Sequence, residues 1–240
     1  MKYQNNTDNK GGDNMKIEEN NQVLKINIKE KSKTSILFYQ YPKRIMDILG
    51  SLIGILLTLP IMLVIISFYT WGSNKGPIFF KQKRLGLNGE YFYIFKFRSM
   101  VIDAERKLKS NEELYQKYLD NNFKLEPDED PRITDFGRFI RKTSLDELPQ
   151  FFNVLIGNMS LVGPRPVVKE EINEYKNRKD EFLSVKPGIT GYWQVCGRSN
   201  VGYPERVDIE LYYVSNKSII LDIQIMCKTV IQVLLKKGAY

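Results

Sequence analysis

The sequence predicts an α+β chain, mainly helical. A re-entrant, membrane-inserted helix-hairpin precedes a compact cytoplasmic domain with a small β-hairpin and amphipathic helices at the membrane interface. Three observations carry this. Ile48 to Asn74 is a run of 27 residues without a charge, with Pro60 near its middle and basic residues at both ends. Two aromatic-rich stretches flank an Asn88-Gly89 pair. Beyond residue 100, apolar residues recur at helical spacing among many charges. The chain divides into a polar tail (1–40), a membrane-inserted segment (41–74) and a globular domain (75–240).

The tail is rich in Asn, Lys and Asp, with few large apolar residues before Val23, a composition expected to be disordered. It lacks the apolar run and cleavage site of a signal peptide. The uncharged run that follows exceeds the roughly 20 residues needed to cross a bilayer. Lys43 and Arg44 precede it; Lys75, Lys81, Lys83 and Arg84 follow. Basic flanks stay on the cytoplasmic side, so flanks at both ends suit a segment that enters and leaves by one face. Pro60 removes a donor and clashes with the Leu56 carbonyl, which breaks or kinks the helix. A hairpin and a kinked span both remain open, with Ser51 and Thr58 as partners for freed backbone groups.

After Gly76, "PIFFKQKRLGLNGEYFYIFKFRSM" reads as two strands around the Asn88-Gly89 turn. Val101–Leu119 is a charged helical pattern, and "EPDEDPRIT" is a loop. Ile133–Gly157 reads as helix in two pieces, "MSLVGPRP" as loop, and Val167–Leu183 as another charged helix. "KPGITGYWQVCG" is a loop or short strand pair. Helices over Pro204–Ser215 and Ser218–Lys237 close the chain.

The composition narrows the chemistry. The 240 residues contain no histidine, which excludes Ser-His-Asp triads, Cys-His dyads and HExxH zinc sites. Acid–base or nucleophilic work falls to Asp, Glu, Lys, Tyr, Cys or Ser. Cys196 and Cys227 fit no zinc spacing and read as reduced thiols. A net charge of +8 points to anionic partners. There is no GxxxxGK[ST] and no GxGxxG after a strand, against a P-loop or Rossmann enzyme.

"RKTSLDELPQFF" (141–152) places two adjacent acids, Asp146 and Glu147, among cations. Ser144-x-x-Glu147 is a capping box, which explains both acids structurally. Pro149 complicates it, because it would fall inside the helix. With Asp146 as N-cap, Pro149 takes a position needing no N–H, and Asp146 stands at a helix mouth suited to phosphate. Arg138, Arg141 and Lys142 lie upstream. Arg165 sits in "GPRP", stiffened by Pro164 and Pro166, and a guanidinium matches phosphate bidentately. Lys96 and Arg98 of "KFRSM" fall on one side of a strand, as edge-defending charges or as further phosphate ligands. In "GYWQVCGRSN", Tyr192, Trp193, Gln194 and Arg198 are read as core, base-stacking or interfacial. Carboxylates, arginines and a divalent metal together suit phosphoryl transfer.

These stretches, with "KRIMDILGSLIGILLTLPIMLVIISF", "TDFGRFIRKTSLDELPQFFNVLIGNMSLVGPRP" and "LDIQIMCKTVIQVLLKKGAY", resemble the bacterial sugar transferase family over about Tyr41 to Tyr240. Its members are small monotopic phosphoglycosyl transferases. The resemblance implies a re-entrant anchor and a site on the cytoplasmic face of the bacterial plasma membrane. It makes 75–240 a catalytic sugar transferase domain that moves a sugar phosphate from a UDP-sugar to undecaprenyl phosphate and releases UMP. It makes Asp146 the nucleophile that forms a phosphosugar-aspartyl intermediate, places Mg²⁺ at Asp146, and gives Glu147 a supporting or proton-handling role. Arg141 and Arg165 match family phosphate-binding arginines; Lys96 and Arg98 match its KFR motif, and Pro164 lies in the matched GPRP. Several members have Ser-Pro at the helix break where this chain has Leu59-Pro60. The absence of the larger relatives' N-terminal transmembrane helices would make it a minimal form. Galactose, glucose and N-acetylated sugars all suit the motifs, and the long C-terminal region resembles hexose-1-phosphate transferases of capsule and exopolysaccharide pathways.

This reading implies no nucleic-acid partner and is compatible with a homo-oligomer. Its rivals are a basic membrane-anchored adaptor binding acidic lipid or nucleic acid, and a lipid-phosphate phosphotransferase with another donor.

Overall fold

The computed structural model describes residues 11–121, 123, 125, 128–196 and 201–235, with side chains from residue 39 onward except those of 73 and 234. Two compact units are separated, Met1–Lys43 and Arg44–Tyr240. In the first, helix α1 (Gly11–Ser67) begins within the segment expected to be disordered, of which residues 1–10 lie outside the described set.

The stretch Tyr39–Ser67 of α1 is long and apolar enough to cross a membrane by length and composition. Leu52, Ile53, Leu56, Leu57, Leu63 and Val64 are exposed. The opposite side packs on the domain. Asp47 is buried and accepts from Ser160 Oγ and the Leu161 amide, each at 2.9 Å. Further along, Met62 and Ile65 join Tyr69, Phe97 and Ile140 in one core cluster. Of the break or kink expected at Pro60, a break is corrected: α1 continues through it as one helix. Proline's fixed φ is compatible with a helix, at the loss of one hydrogen bond. Ser51 Oγ donates to the Ile48 carbonyl and Thr58 Oγ1 to that of Gly54, so neither partners Leu56.

Strands β1 (Phe79–Leu85) and β2 (Tyr91–Phe97) form the expected antiparallel hairpin, Phe79 opposite Phe97 and Leu85 opposite Tyr91. Asn88 (φ 55°) and Gly89 (φ 79°) take the left-handed backbone their residue types favour. The single helix expected over 101–119 is two, α2 (Ala104–Ser110) and α3 (Glu112–Asp120). Asn111 between them caps α3, its Oδ1 accepting from the Leu114 amide at 3.0 Å.

The two helical pieces expected over 133–157 are α4 (Asp135–Lys142) and α5 (Gln150–Ile156), joined by a 3₁₀ turn at Leu145–Glu147. Thr134 caps α4 through the Gly137 amide, and Gly157 (φ 94°) ends α5. "MSLVGPRP" is not all loop. Its Ser160–Val162 forms β3, parallel to β4 (Gly188–Thr190). The helix expected over 167–183 is a 3₁₀ segment, Glu171–Arg178, kinked at Lys176 (φ 49°), followed by α6 (Lys179–Leu183). Helices α7 (Tyr192–Cys196), α8 (Glu205–Asn216) and α9 (Ile219–Leu234) complete the described chain. One core cluster joins β2, α5, β3 and α9 through Ile94, Val154, Leu161 and Ile225. Among the described residues the architecture is mainly helical, with two small two-stranded sheets.

Candidate active site

Asp146 and Glu147 occupy the 3₁₀ turn between α4 and α5. Both capping expectations are corrected. Ser144 adopts a left-handed backbone (φ 55°) and makes no side-chain cap, and Pro149 itself stands at the N-cap position of α5. Left-handed Ser144 turns the chain sharply after α4, so the acids lie ahead of the helix. The flanking Leu145 and Leu148 pack against the cluster of Met62, Ile65, Tyr69, Phe97 and Ile140. Asp146 is only 5% exposed.

Lys96 faces this turn from β2, its Nζ 2.6 Å from Glu147 Oε1. Asn153 of α5 fixes the two elements together, accepting from the Phe95 amide (2.9 Å) and donating to the Tyr93 carbonyl (2.8 Å). The two carboxyls diverge in acidity. Burial pushes Asp146 up to about 6, with the charge of Glu147 adding and Lys96 and Arg141 opposing. For Glu147 burial also works against the charge. Lys96 prevails through charge and hydrogen bond, aided by Arg165, and holds it below the usual carboxylate range.

Arg141, in the last turn of α4, acts on both Asp146 and Asp130. Arg165 approaches from the chain after β3, and its charge reaches Glu147 and Glu171. Pro164 is buried, and its carbonyl accepts from the Gly188 amide at 2.8 Å. The structure thus brings Lys96, Arg141 and Arg165 around the acidic pair. It sends Arg98 elsewhere: β2 ends at Phe97, and the Arg98 guanidinium donates to the Asn74 carbonyl and stacks on Tyr69, 5.5 Å from the ring centroid. Arg138 pairs with Asp128 at the surface. Trp193 is core, lying 4.3 Å from the Arg206 guanidinium. Arg198 lies outside the described residues.

Sequence reasoning missed Tyr69. It is buried, donates to the Arg98 carbonyl, and its hydroxyl is pushed up to about 12 by burial, with Arg98 opposing and Asp146 adding. It closes an apolar run, where nothing distinguishes it from a packing aromatic. The ionic cluster of Glu171, Arg206 and Glu210 was missed as well.

Among the described residues no group of three acids or thiols could cage a metal. Mg²⁺ usually takes one or two carboxylates and completes its shell with substrate phosphates and water. Asp146 fits that demand, since Lys96 engages Glu147.

A family model described as bacterial sugar transferase matches residues 38–236. The undecaprenyl-phosphate galactose phosphotransferase of Salmonella typhimurium is 44% identical over 204 residues, covering 84% of this chain and 42% of that protein. The exopolysaccharide production protein ExoY of Sinorhizobium fredii is 39% identical over 202 residues, 82% of this chain and 88% of ExoY. The UDP-glucose:undecaprenyl-phosphate glucose-1-phosphate transferase of Xanthomonas campestris is 36% identical over 236 residues, 95% of this chain and 46% of that protein. The chain spans less than half the length of the first and third of these relatives.

Proposed function

The chain belongs to the bacterial sugar transferase family, and from that premise we propose that it transfers a sugar-1-phosphate from a UDP-sugar to undecaprenyl phosphate, the initiating step of a capsule, exopolysaccharide or glycoconjugate. The observation that carries the reading is the unequal acid pair: Glu147 neutralised by Lys96 with Arg165 in electrostatic reach, and Asp146 buried beside it with Arg141 in reach.

The chemistry follows from that inequality. The Lys96 ammonium contacts Glu147 directly, which leaves the Asp146 oxygens available for attack. The Asp146 oxygen attacks the β-phosphorus of the donor. The bond from that phosphorus to the bridging oxygen breaks, and UMP leaves with that oxygen. The sugar phosphate stays on Asp146 as an acyl phosphodiester. A phosphate oxygen of undecaprenyl phosphate then attacks the same phosphorus, giving the lipid diphosphate sugar and restoring the carboxylate. Arg141 and Arg165 hold phosphate oxygens and stabilise charge in both steps. Glu147 holds Lys96 in place beside the reacting groups. Asp146 would hold Mg²⁺, which would supply charge neutralisation for the leaving UMP.

The anchor reading is that the apolar part of α1 enters the cytoplasmic leaflet and both its ends stay on the cytoplasmic side. Basic residues at both ends support it. So does docking at both ends: Asp47 binds β3, while Ile65 and Tyr69 pack with Phe97 and Ile140. A span would carry one end about 30 Å away from the domain. Membrane-impermeant labelling of single cysteines at 45 and 75 should find both on the cytoplasmic side; opposite sides would establish a span.

The functional test is a screen of UDP-sugars with undecaprenyl phosphate and Mg²⁺, reading UMP. Release with at least one donor, dependent on the acceptor for turnover, is the expected result. Silence with every donor would favour the non-enzymatic adaptor.

A further inference from the structure

The segment Gly163–Val167 is held at successive main-chain groups by different elements. The Gly163 amide donates to the Thr190 carbonyl (2.9 Å), and the Pro164 carbonyl accepts from Gly188 (2.8 Å). The Pro166 carbonyl accepts from Arg84 Nη1 (3.0 Å), and that of Val167 from the Leu85 amide (3.0 Å). The Arg165 amide donates to Glu210 Oε1 at 3.3 Å, the anionic side chain in this series.

The Arg165 side chain is held differently. Its Nε is buried with no hydrogen-bond partner among the described residues. An orphaned buried donor is costly, and its direction is then set by the backbone from which it grows. That backbone depends on Glu210. Glu210 is 1% exposed and comes from α8, an element separate from those that carry the acid pair. Its charge is balanced by Arg206, one turn earlier on α8, whose Nη2 lies 3.2 Å away, and Tyr175 donates to its other oxygen. Arg206 in turn bonds Glu171 at 3.2 Å and lies between the rings of Trp193 (4.3 Å) and Tyr203 (4.9 Å). Three charged side chains, each at most 3% exposed, are therefore assembled behind one main-chain amide. Replacing a buried ion cluster by apolar residues is often neutral or stabilising, so stability alone gives little reason for it.

We propose that Glu210, braced by Arg206, is a positioning residue that aims the Arg165 guanidinium at the donor diphosphate. The idea rests on the phosphate-binding role of Arg165 above. Glu210 itself touches no reacting atom.

The test is a double-mutant cycle in the 240-residue chain, read by binding of UDP with Mg²⁺ and by turnover of the donor found active. Arg165→Ala and Glu210→Ala should each weaken UDP binding about tenfold, the value of one charge-assisted hydrogen bond. The double variant should be no more than about twofold weaker than Arg165→Ala. Glu210→Gln keeps an oxygen for the Arg165 amide and should bind UDP within about threefold of the parent, although its melting temperature falls. Independent, multiplying losses in the cycle would overturn the proposal. So would a Glu210→Gln variant that stays folded yet loses as much binding as Arg165→Ala, even where Glu210→Ala does not fold. Asp146→Asn is measured alongside: normal UMP release by that variant would defeat the nucleophile reading while leaving the UDP-binding cycle to decide the role of Glu210.

Discussion

Lys96 places its ammonium 2.6 Å from Glu147 Oε1, and that contact divides two chemically similar neighbours into unlike groups. Glu147 is held in its charged form, while burial pushes Asp146 up to about 6. In the proposed reaction Glu147 is structural and electrostatic, and Asp146 is the acid that reacts.

The first consequence is a pH limb. A raised carboxyl pKa means Asp146 takes up a proton as pH falls through about 6, and the protonated acid is not a nucleophile. Donor turnover should drop with one proton below pH 6 and level off above about 7. Lys96→Met removes a cation that lowers both carboxyls, so the limb should move to higher pH and the plateau fall about a hundredfold. A pH profile of kcat/KM for both proteins measures this.

Acid stability should follow the Glu171 cluster. Burial opposes its charge, but Arg206, then Arg165 and Arg84, hold Glu171 below the usual range. A depressed pKa gives stability that is fully present above the unfolded value, about 4.3, and is lost as pH falls through the folded one. Glu171→Gln should cost about 3 kcal/mol at pH 7 and flatten the acid dependence. Urea midpoints at pH 7 and pH 3 compare the two proteins.

Close backbone approach makes Gly188 intolerant of a side chain. A Cβ there would stand 2.1 Å from the Gly163 amide nitrogen and 2.3 Å from the Thr190 carbonyl oxygen. Gly188→Ala should separate β3 from β4, cost about 1–3 kcal/mol, and lower kcat/KM because the loop carrying Arg165 moves. Melting temperature and donor kinetics together test it.

Asp47 ties α1 to β3 by two hydrogen bonds from buried donors. Asp47→Ala leaves both donors unpaired and should destabilise by about 2–3 kcal/mol. Hydrogen exchange at Leu161 should quicken well before exchange in α8 does.

The sequence made much of this legible where the signal is local. Asn88-Gly89 announced the hairpin turn because their backbone freedom is a property of those two residues. Asp146, Glu147, Arg141 and Arg165 were visible as candidates because acids among arginines, in a chain without histidine, leave few alternatives. Features set by distant contacts were not legible. Ser144 looked like a cap, yet its left-handed backbone serves the turn that brings Asp146 to Lys96. Pro60 looked like a break, yet the helix continues through it. Ser160–Val162 read as loop because its pairing partner lies 28 residues on. Lys96 and Arg98 share a parity that suggests a common role, but the strand ends between them. Nothing local singles out Glu210 and Arg206 on the helix expected over Pro204–Ser215, and only packing reveals them as buried.

The central claim is that Asp146 carries the sugar phosphate, and isotope transfer tests it most directly. Parent protein incubated with radiolabelled UDP-sugar and Mg²⁺, without undecaprenyl phosphate, should retain one labelled sugar phosphate on the Asp146 peptide and release an equal amount of UMP. Asp146→Asn should remain folded, retain no label and release no UMP. UMP release by Asp146→Asn at the parent rate, or label on any other residue, would contradict the account.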